Sequence, residues 1–565
     1  MPFVLGEINL SLADTPAFLA SVLIDPREIP PMRLLKILSL AVLFGGFSVS
    51  AARADVKPHP IFSDNMVLQQ GTEIAVFGIA APGEAVSASI ERTAADEASA
   101  AAASATADKD GKWSLKLGKQ KAGTGFKVTV KGKNTVEFKN VAVGEVWVCS
   151  GQSNMEWSVN SGETPDMVKE GAKNPNLRLF TVKKRTAPHP IDNQDDLAHF
   201  TSWVESAPET VGGFSAVAYH FGQKLQKELG VPVGLIHTSW GGTPAQAWAS
   251  LEAMDADPSL KHYADSGRAA AKGYDSYDPK LAMANYEKAL EKWKVDAAKA
   301  KADGKPEPKA PAKPGATAPA LSPGTPGVLY NAMIHPLLAF KVRGAIWYQG
   351  ESNTGRAFEY RTLFPTMIED WRKRFACDLP FMLVQLAPFG NGNANAVTYA
   401  ELRDSQLYTT KKLPKVGMAV ITDVGNETDI HPKPKGPVGE RLAIAALGIE
   451  YGKKIEFSGP VFKEAKFEGS AATLTFEHVG GGLVAKGEEL VGFTAAGADG
   501  VFVPAKATIK GDSIVVTSDK VEKITAVRYG WVNFAKPTLN LFNKDGLPAS
   551  PFRTDDTPYT TAPKK

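Results

Sequence analysis

Two cysteines in 565 residues are too few for a disulfide scaffold, so a buried apolar core must hold this chain together. Cys149 sits in an apolar, strand-like run where a buried free thiol is the expectation, and one bridge to Cys377 is the most that two cysteines allow. An excess of either charge is missing too. The 64 Lys and Arg face 61 Asp and Glu, and a net charge of +3 gives no footprint for nucleic acid or an anionic membrane. Beyond residue 54 no apolar run reaches the roughly 20 residues of a membrane-spanning helix. A Gly-rich phosphate loop followed by Lys-Ser or Lys-Thr is absent, as is any His or Cys cluster with metal-ligand spacing, so neither a metal nor an organic cofactor is expected.

What is present is ordinary globular composition, 43% apolar and 22% charged, over a length that exceeds one hydrophobic core and predicts two or three domains. Met32, Arg33 and Lys36 precede an apolar run from Ile37 to Val49 that ends in Ala52-Arg53-Ala54. Positive, apolar and small residues in that order describe a secretory signal peptide (32–54) cut after Ala54. They predict an exported protein, periplasmic or extracellular, with no membrane span after cleavage. Residues 1–31 read as an extension ahead of the true initiator, Met32.

From Asp55 to Val143, short alternating runs (Ile74 to Phe77, Trp113 to Leu117, Phe126 to Val130, Val136 to Phe138) are separated by turn residues and predict an N-terminal β domain of sandwich type. Ala94 to Ala107, nearly all Ala, Ser and acidic residues without an apolar period, is expected as a solvated loop. From Gly144 the pattern changes. Glu145 to Cys149, Val233 to His237, Gly344 to Tyr348 and Phe381 to Leu386 read as strands; Ser215 to Leu229 and Leu363 to Phe375 read as helices. That alternation predicts an α/β domain over 144–452, a parallel sheet covered by helices. Within it, 255–325 is rich in Lys, Ala and Pro and reads as a partly disordered surface insertion with a helix near Tyr286 to Ala300. Short strands return over 453–540 as a second β domain, and 541–565 reads as a tail.

A strand, a tight turn and a serine present a hydroxyl at the carboxyl edge of a parallel sheet, where the next helix N-terminus favours developing negative charge. Val148-Cys-Ser-Gly-Gln-Ser153-Asn-Met has that form. Alone it is equally well a Ser-rich N-cap; the rest of the chain tips the balance. Of nine histidines, His237 and His335 fall inside apolar runs and read as core residues. His431 stands in the polar loop Asp429-Ile-His431-Pro, after the strand candidate Gly417 to Asp423, where it can reach a serine from the sheet edge. An acyl-transfer intermediate also needs donors set in advance for its oxyanion. The Ser153 amide, a glycine amide of Ser239-Trp-Gly241-Gly242-Thr243 and the Gln349 side chain of Tyr348-Gln-Gly-Glu-Ser352-Asn353 all follow strands of the expected sheet. Gly-Gly is a common turn and Gln349 a common surface amide, so only the set is informative.

Gly-Gln-Ser153-Asn-Met-Glu-Trp157, Ser239-Trp-Gly-Gly-Thr-Pro, Trp347-Tyr-Gln-Gly-Glu-Ser-Asn353 and Asp429-Ile-His-Pro432 together resemble the sialate O-acetylesterase family. The resemblance runs over about Lys57 to Asn540 and includes Phe62-Ser-Asp-Asn-Met-Val-Leu-Gln-Gln70. It implies an SGNH-hydrolase core, three layers around a parallel sheet, between β-sandwich-like domains. It also implies Ser153 as nucleophile, His431 as general base, and Gly241 or Gly242 with Gln349 completing the oxyanion hole. The SGNH pattern has an acid three residues before its histidine, where Thr428 stands here; Asp429, two before, is expected to orient His431, with Glu351, Asp423 or a backbone carbonyl as rivals. Gln152, Asn154 and Glu351 read as substrate-facing. Trp157, Trp240 and Tyr348 flank the same place, as sugar platforms or as core.

The implied partner is an acetylated sugar or glycan, and the implied activity is deacetylation of sialic acid. Acetylated xylan is the rival substrate, since related folds with this nucleophile turn serve both; sialate would ask for a cation at its carboxylate, and Arg343 and Arg356 are near the right motif. A carbohydrate-binding protein without catalysis is the alternative from another class; the intact Ser153, Gln349 and His431 argue against it. A lipase would want an apolar lid, and 255–325 is too rich in Lys and Pro to form one.

Overall fold

The computed structural model describes residues 55–92, 99–390 and 396–563. The signal-peptide segment and the extension before it lie outside the described residues. Asp55–Lys565 forms one compact unit.

Its centre is a sheet of seven strands: β1 (Thr135–Gly151), β2 (Asn174–Thr181), β3 (Val204–Ser206), β4 (Val233–Ser239), β5 (Gly344–Tyr348), β6 (Phe381–Val384) and β7 (Val416–Ala419). They lie in the order β3-β2-β4-β1-β5-β6-β7, all parallel except the short edge strand β3. Every residue of β4 to β7 is buried, as a parallel sheet covered on both faces requires. The register pairs Gly344 with Trp147 and Trp347 with Ser150, so the two tryptophans point to opposite faces. Five helices matter to the site: α1 (Ser153–Glu156), α2 (Ala216–Leu229), α3 (Ala357–Phe375), α4 (Thr398–Lys412) and α5 (Gly436–Ile449). Trp147 meets Phe221 of α2, and Trp347 meets Phe364 and Trp371 of α3, so each face carries its own helix. The Ser215 hydroxyl caps α2 by accepting the Ala218 amide, and Gly230 ends it in the left-handed conformation.

Strand β1 does not stop at Gly144. Its first half pairs antiparallel with Gly123–Lys131 and its second half enters the central sheet, so the expected boundary at 143/144 falls within one continuous strand. Apolar side chains on both sides of that point join a single core, which runs from Val56 to Val461 and takes in Trp531 and Tyr559 from the C-terminal part. The C-terminal strands enclose a core of their own, which includes Leu474, Phe493, Val527 and Phe552.

Three expectations are corrected. Ser99–Thr106, expected as loop, is a strand paired residue for residue with Ala85–Arg92. Alanine carries too little apolar contrast to show a period, and the ladder is fixed by backbone hydrogen bonds. In the 255–325 stretch the helix expected near Tyr286 to Ala300 is present as the mostly exposed Pro279–Ala302, and a further helix that was not expected, Lys261–Asp275, buries Tyr263, Ala264, Gly267 and Ala271, so that this part is anchored rather than loose. The tail from 541 is built in: Leu541–Asn543 and Phe552–Arg553 are strands, and the Tyr559 hydroxyl bonds to Asp404 of α4. Both cysteines are free, Cys149 buried and Cys377 exposed. Among the described residues no helix is long and apolar enough to cross a membrane.

Candidate active site

Strand β1 ends at Gly151, whose φ of +142° and whose approach to β5 leave no room for a side chain: a Cβ there would lie 2.1 Å from the Tyr348 carbonyl oxygen. The Gln152 amide then donates to that carbonyl, and its side-chain oxygen accepts the amides of Gly350 (3.4 Å) and Ser352 (3.2 Å). Gln152 is therefore a buried strap between the ends of β1 and β5. This strap fixes the turn that opens α1 on Ser153, which remains partly exposed at the carboxyl edge of the sheet. Among the described residues the Ser153 hydroxyl and amide have no hydrogen-bond partner, and neither has the Gly242 amide.

The loop after β4 brings Gly241 against the serine: a Cβ on Gly241 would lie 3.2 Å from that of Ser153. Its amide is engaged, donating to Glu156 Oε2 at 2.6 Å, while Glu156 Oε1 lies 2.6 Å from the Lys184 ammonium. Gln349 is not offered to the serine. Its amide nitrogen donates to the Thr243 carbonyl (3.3 Å) and to Asn353 Oδ1 (2.7 Å), and its oxygen accepts the Tyr360 hydroxyl, so a fully buried network consumes both of its hydrogens. Among the described residues both amide hydrogens of Gln349 are thus already given to protein acceptors.

His431 reaches the edge from the loop between β7 and α5. Trp157, just beyond α1, stacks on the imidazole at 4.6 Å and 16°, and Asn154 Nδ2 donates to the Ile430 carbonyl at 3.0 Å. These two contacts seat the His431 loop on the helix that carries Ser153. Burial, and next the Lys435 ammonium, hold the imidazole below its ordinary pKa; Asp429 and Glu156 oppose them. Asp429 accepts the His431 backbone amide at 2.8 Å, while its carboxylate stands 3.8 Å from Nδ1, too far for a hydrogen bond to the ring. The rivals are committed elsewhere: Asp423 forms a two-pronged pair with Arg441, and Glu351 is bonded to Asn154 at 2.6 Å.

The remaining candidates divide. Asn154 and Glu351, expected to face substrate, bond to each other below the surface, and Asn154 Oδ1 accepts the buried Lys435 ammonium. Tyr348 is core. Trp240 stays partly exposed beside Lys184, whose ammonium lies 5.7 Å from its ring. Arg343 is far from the chemistry, at the start of β5, paired with Glu145 and Glu450; Arg356 lies over the Tyr263 ring. His237 is buried, as its apolar run suggested, and contacts the Ser239 hydroxyl at 2.6 Å; burial pulls its pKa down to about 4. Three residues escaped sequence reasoning: Glu156, Lys184 and Lys435. Glu156 lies inside a quoted motif, whereas Lys184 and Lys435 stand one and two residues from other lysines, Lys183 and Lys433, and nothing in the sequence sets them apart.

The family of sialic acid-specific acetylesterases, a group of carbohydrate esterases, matches residues 143–273 and 312–447, leaving out much of the Lys- and Pro-rich stretch between. The sialate O-acetylesterase of Pongo abelii is 28% identical over 529 residues, 87% of this chain and 91% of its own. That of Mus musculus is 28% identical over 449 residues, 74% and 78% of the two chains. The crystal structure of a carbohydrate acetylesterase from Xanthomonas citri is 34% identical, with a TM-score of 0.73 over 89% of this chain and 100% of that one. The sheet edge that carries Ser153 thus belongs to an ester hydrolase acting on O-acetylated sugars, and the chain is a member of the sialic acid-specific acetylesterase family of carbohydrate esterases.

Proposed function

We propose that this chain removes acetyl groups from sialic acid through a Ser153 acyl-enzyme. The observation that carries the reading is the meeting at one sheet edge of a serine with free amides around it and a histidine loop seated on the serine's own helix. His431 takes the Ser153 proton as the oxygen attacks the acetyl carbonyl carbon. The amides of Ser153 and Gly242 hold the oxyanion, joined by Gly241 when Glu156 gives it up. The ester C–O bond then breaks, the imidazolium returns its proton to the sugar oxygen, and water activated by His431 releases acetate. Asp429, 3.8 Å from Nδ1, stabilises the imidazolium by charge rather than by a bond. The signal-like segment 32–54 supports an exported enzyme.

A neutral acetylated polysaccharide such as xylan is the second reading. Arg343 is held elsewhere, and the cation at the site, Lys184, is already neutralised by Glu156, which favours a sugar without a carboxylate. Acetate release by the mature protein from di-O-acetylated sialic acid and from acetylated xylan, with Ser153→Ala and 4-nitrophenyl acetate alongside, tests both. Release from one sugar that Ser153→Ala abolishes names the substrate. Turnover of the reporter alone removes both sugars, and no turnover at all removes the esterase reading.

A further inference from the structure

Asn154 is the only residue of α1 whose side chain ties three elements together. Its Nδ2 donates to Glu351 Oε1, beyond β5, and to the Ile430 carbonyl beside His431; its Oδ1 accepts from Lys435 at the start of α5. Lys435 is 3% exposed, and its ammonium lies 5.5 Å from the centre of the fully buried Tyr348 ring. The second oxygen of Glu351 is buried without a partner among the described residues. A lysine is expensive to bury, and this one sits under the loop of the base with one neutral acceptor and a cation–π face for company. Saturated structural ion pairs are not built this way.

We propose that Lys435 is a positioning residue of the esterase: through Asn154 it locks the base loop to the nucleophile turn, and it keeps a positive charge behind His431. The inference rests on the reading of Ser153 and His431 given above. Four groups face the imidazole: Asp429 from its own loop, Glu156 and the Trp157 ring from α1 and its end, and Lys435 from below. Lys435 in turn faces Glu351 and Asp429, and burial brings its pKa down to about 7. Its charge opposes protonation of the imidazole, so the base stays free at lower pH than an ordinary histidine.

The test compares Lys435→Gln, which drops the charge and offers Asn154 an amide donor on a side chain one bond shorter, with Lys435→Arg, which keeps the charge. The His431 ring is titrated by NMR in each folded protein, and kcat/KM for 4-nitrophenyl acetate is followed against pH. Lys435→Gln is expected to move the His431 titration about half a pH unit or more upward, a shift the loss of one nearby charge produces. The acidic limb of kcat/KM follows it, and Lys435→Arg leaves both in place. A His431 titration unmoved in Lys435→Gln overturns the proposal, as does an equal shift in both variants. The NMR titration reads out even if no ester is turned over, so failure of the esterase reading is seen separately.

Discussion

Two buried carboxylates flank the β1–β5 strand pair, one near each end, and they are treated in opposite ways. Glu145, in β1, accepts from Gln69, Gln70, Arg343 and the Tyr451 hydroxyl, so both of its oxygens are saturated. Glu351, past the end of β5, has Asn154 on one oxygen and nothing on the other. Burial raises its pKa, and the nearest cation is a lysine whose own charge is destabilised. A saturated network rigidifies; an unsaturated one keeps its charges responsive. The Glu145 end is therefore the saturated one and the Ser153 end, where the proposed chemistry lies, the responsive one, although one strand serves both.

The widest separation of the two ends comes from Ser153→Ala. Its hydroxyl has no protein partner, so the melting temperature is expected to hold while ester turnover falls at least about 1000-fold. A variant that keeps a tenth of the activity would move the nucleophile elsewhere. Arg343→Met is the mirror experiment. It strands the Glu145 carboxylate in the core, which costs about 3–5 kcal/mol in stability, while kcat per folded molecule stays unchanged. Denaturant unfolding with parallel kinetics checks it; lost turnover in the folded variant would erase the contrast between the two ends.

Gly241→Ala strikes between them. The new methyl meets Ser153 Cβ and Glu156 Oε2 at 3.2 Å, so the serine must give by a few tenths of an ångström. Misplacement on that scale is expected to lower kcat about tenfold with little change in melting temperature, since the loop is partly exposed. Unchanged kcat would place the oxyanion donors on another segment.

Legibility followed the same division. The parallel sheet announced itself because strands buried on both faces are continuous apolar runs, as in Val233 to His237 and Gly344 to Tyr348, and the turn at Gly151 to Ser153 follows one of them. Side-chain direction was not written there. Gln349 and Glu351 follow β5 just as a donor and a substrate contact would, yet one is spent on Thr243 and Asn353 and the other on Asn154. Lys435 was invisible for a different reason: in Lys433-Pro-Lys435 two lysines two residues apart look alike, and only the packing of α5 against the site buries the second and exposes the first. The strand Ser99–Thr106 was hidden by its alanines, and the boundary at 143/144 by a strand that serves two sheets.

The smallest effect is a pH profile, and it reports on the chemical end alone. A general base works unprotonated, so kcat/KM falls as pH drops through the pKa of His431. Burial under Trp157 and the charge of Lys435 both oppose the imidazolium, and the partly exposed Asp429, 3.8 Å away, offsets them only in part. The balance lies below the ordinary histidine value, and the acidic limb for 4-nitrophenyl acetate should have its midpoint below about 6.5. Asp429→Asn removes the opposing charge without removing a donor or acceptor site of similar size, and should carry the midpoint lower still. A wild-type midpoint above about 6.5 that falls in Asp429→Asn would mean that the carboxylate bonds the ring in the free enzyme and closes the 3.8 Å separation, whereas a midpoint that rises in Asp429→Asn would remove Asp429 from any role in stabilising the imidazolium.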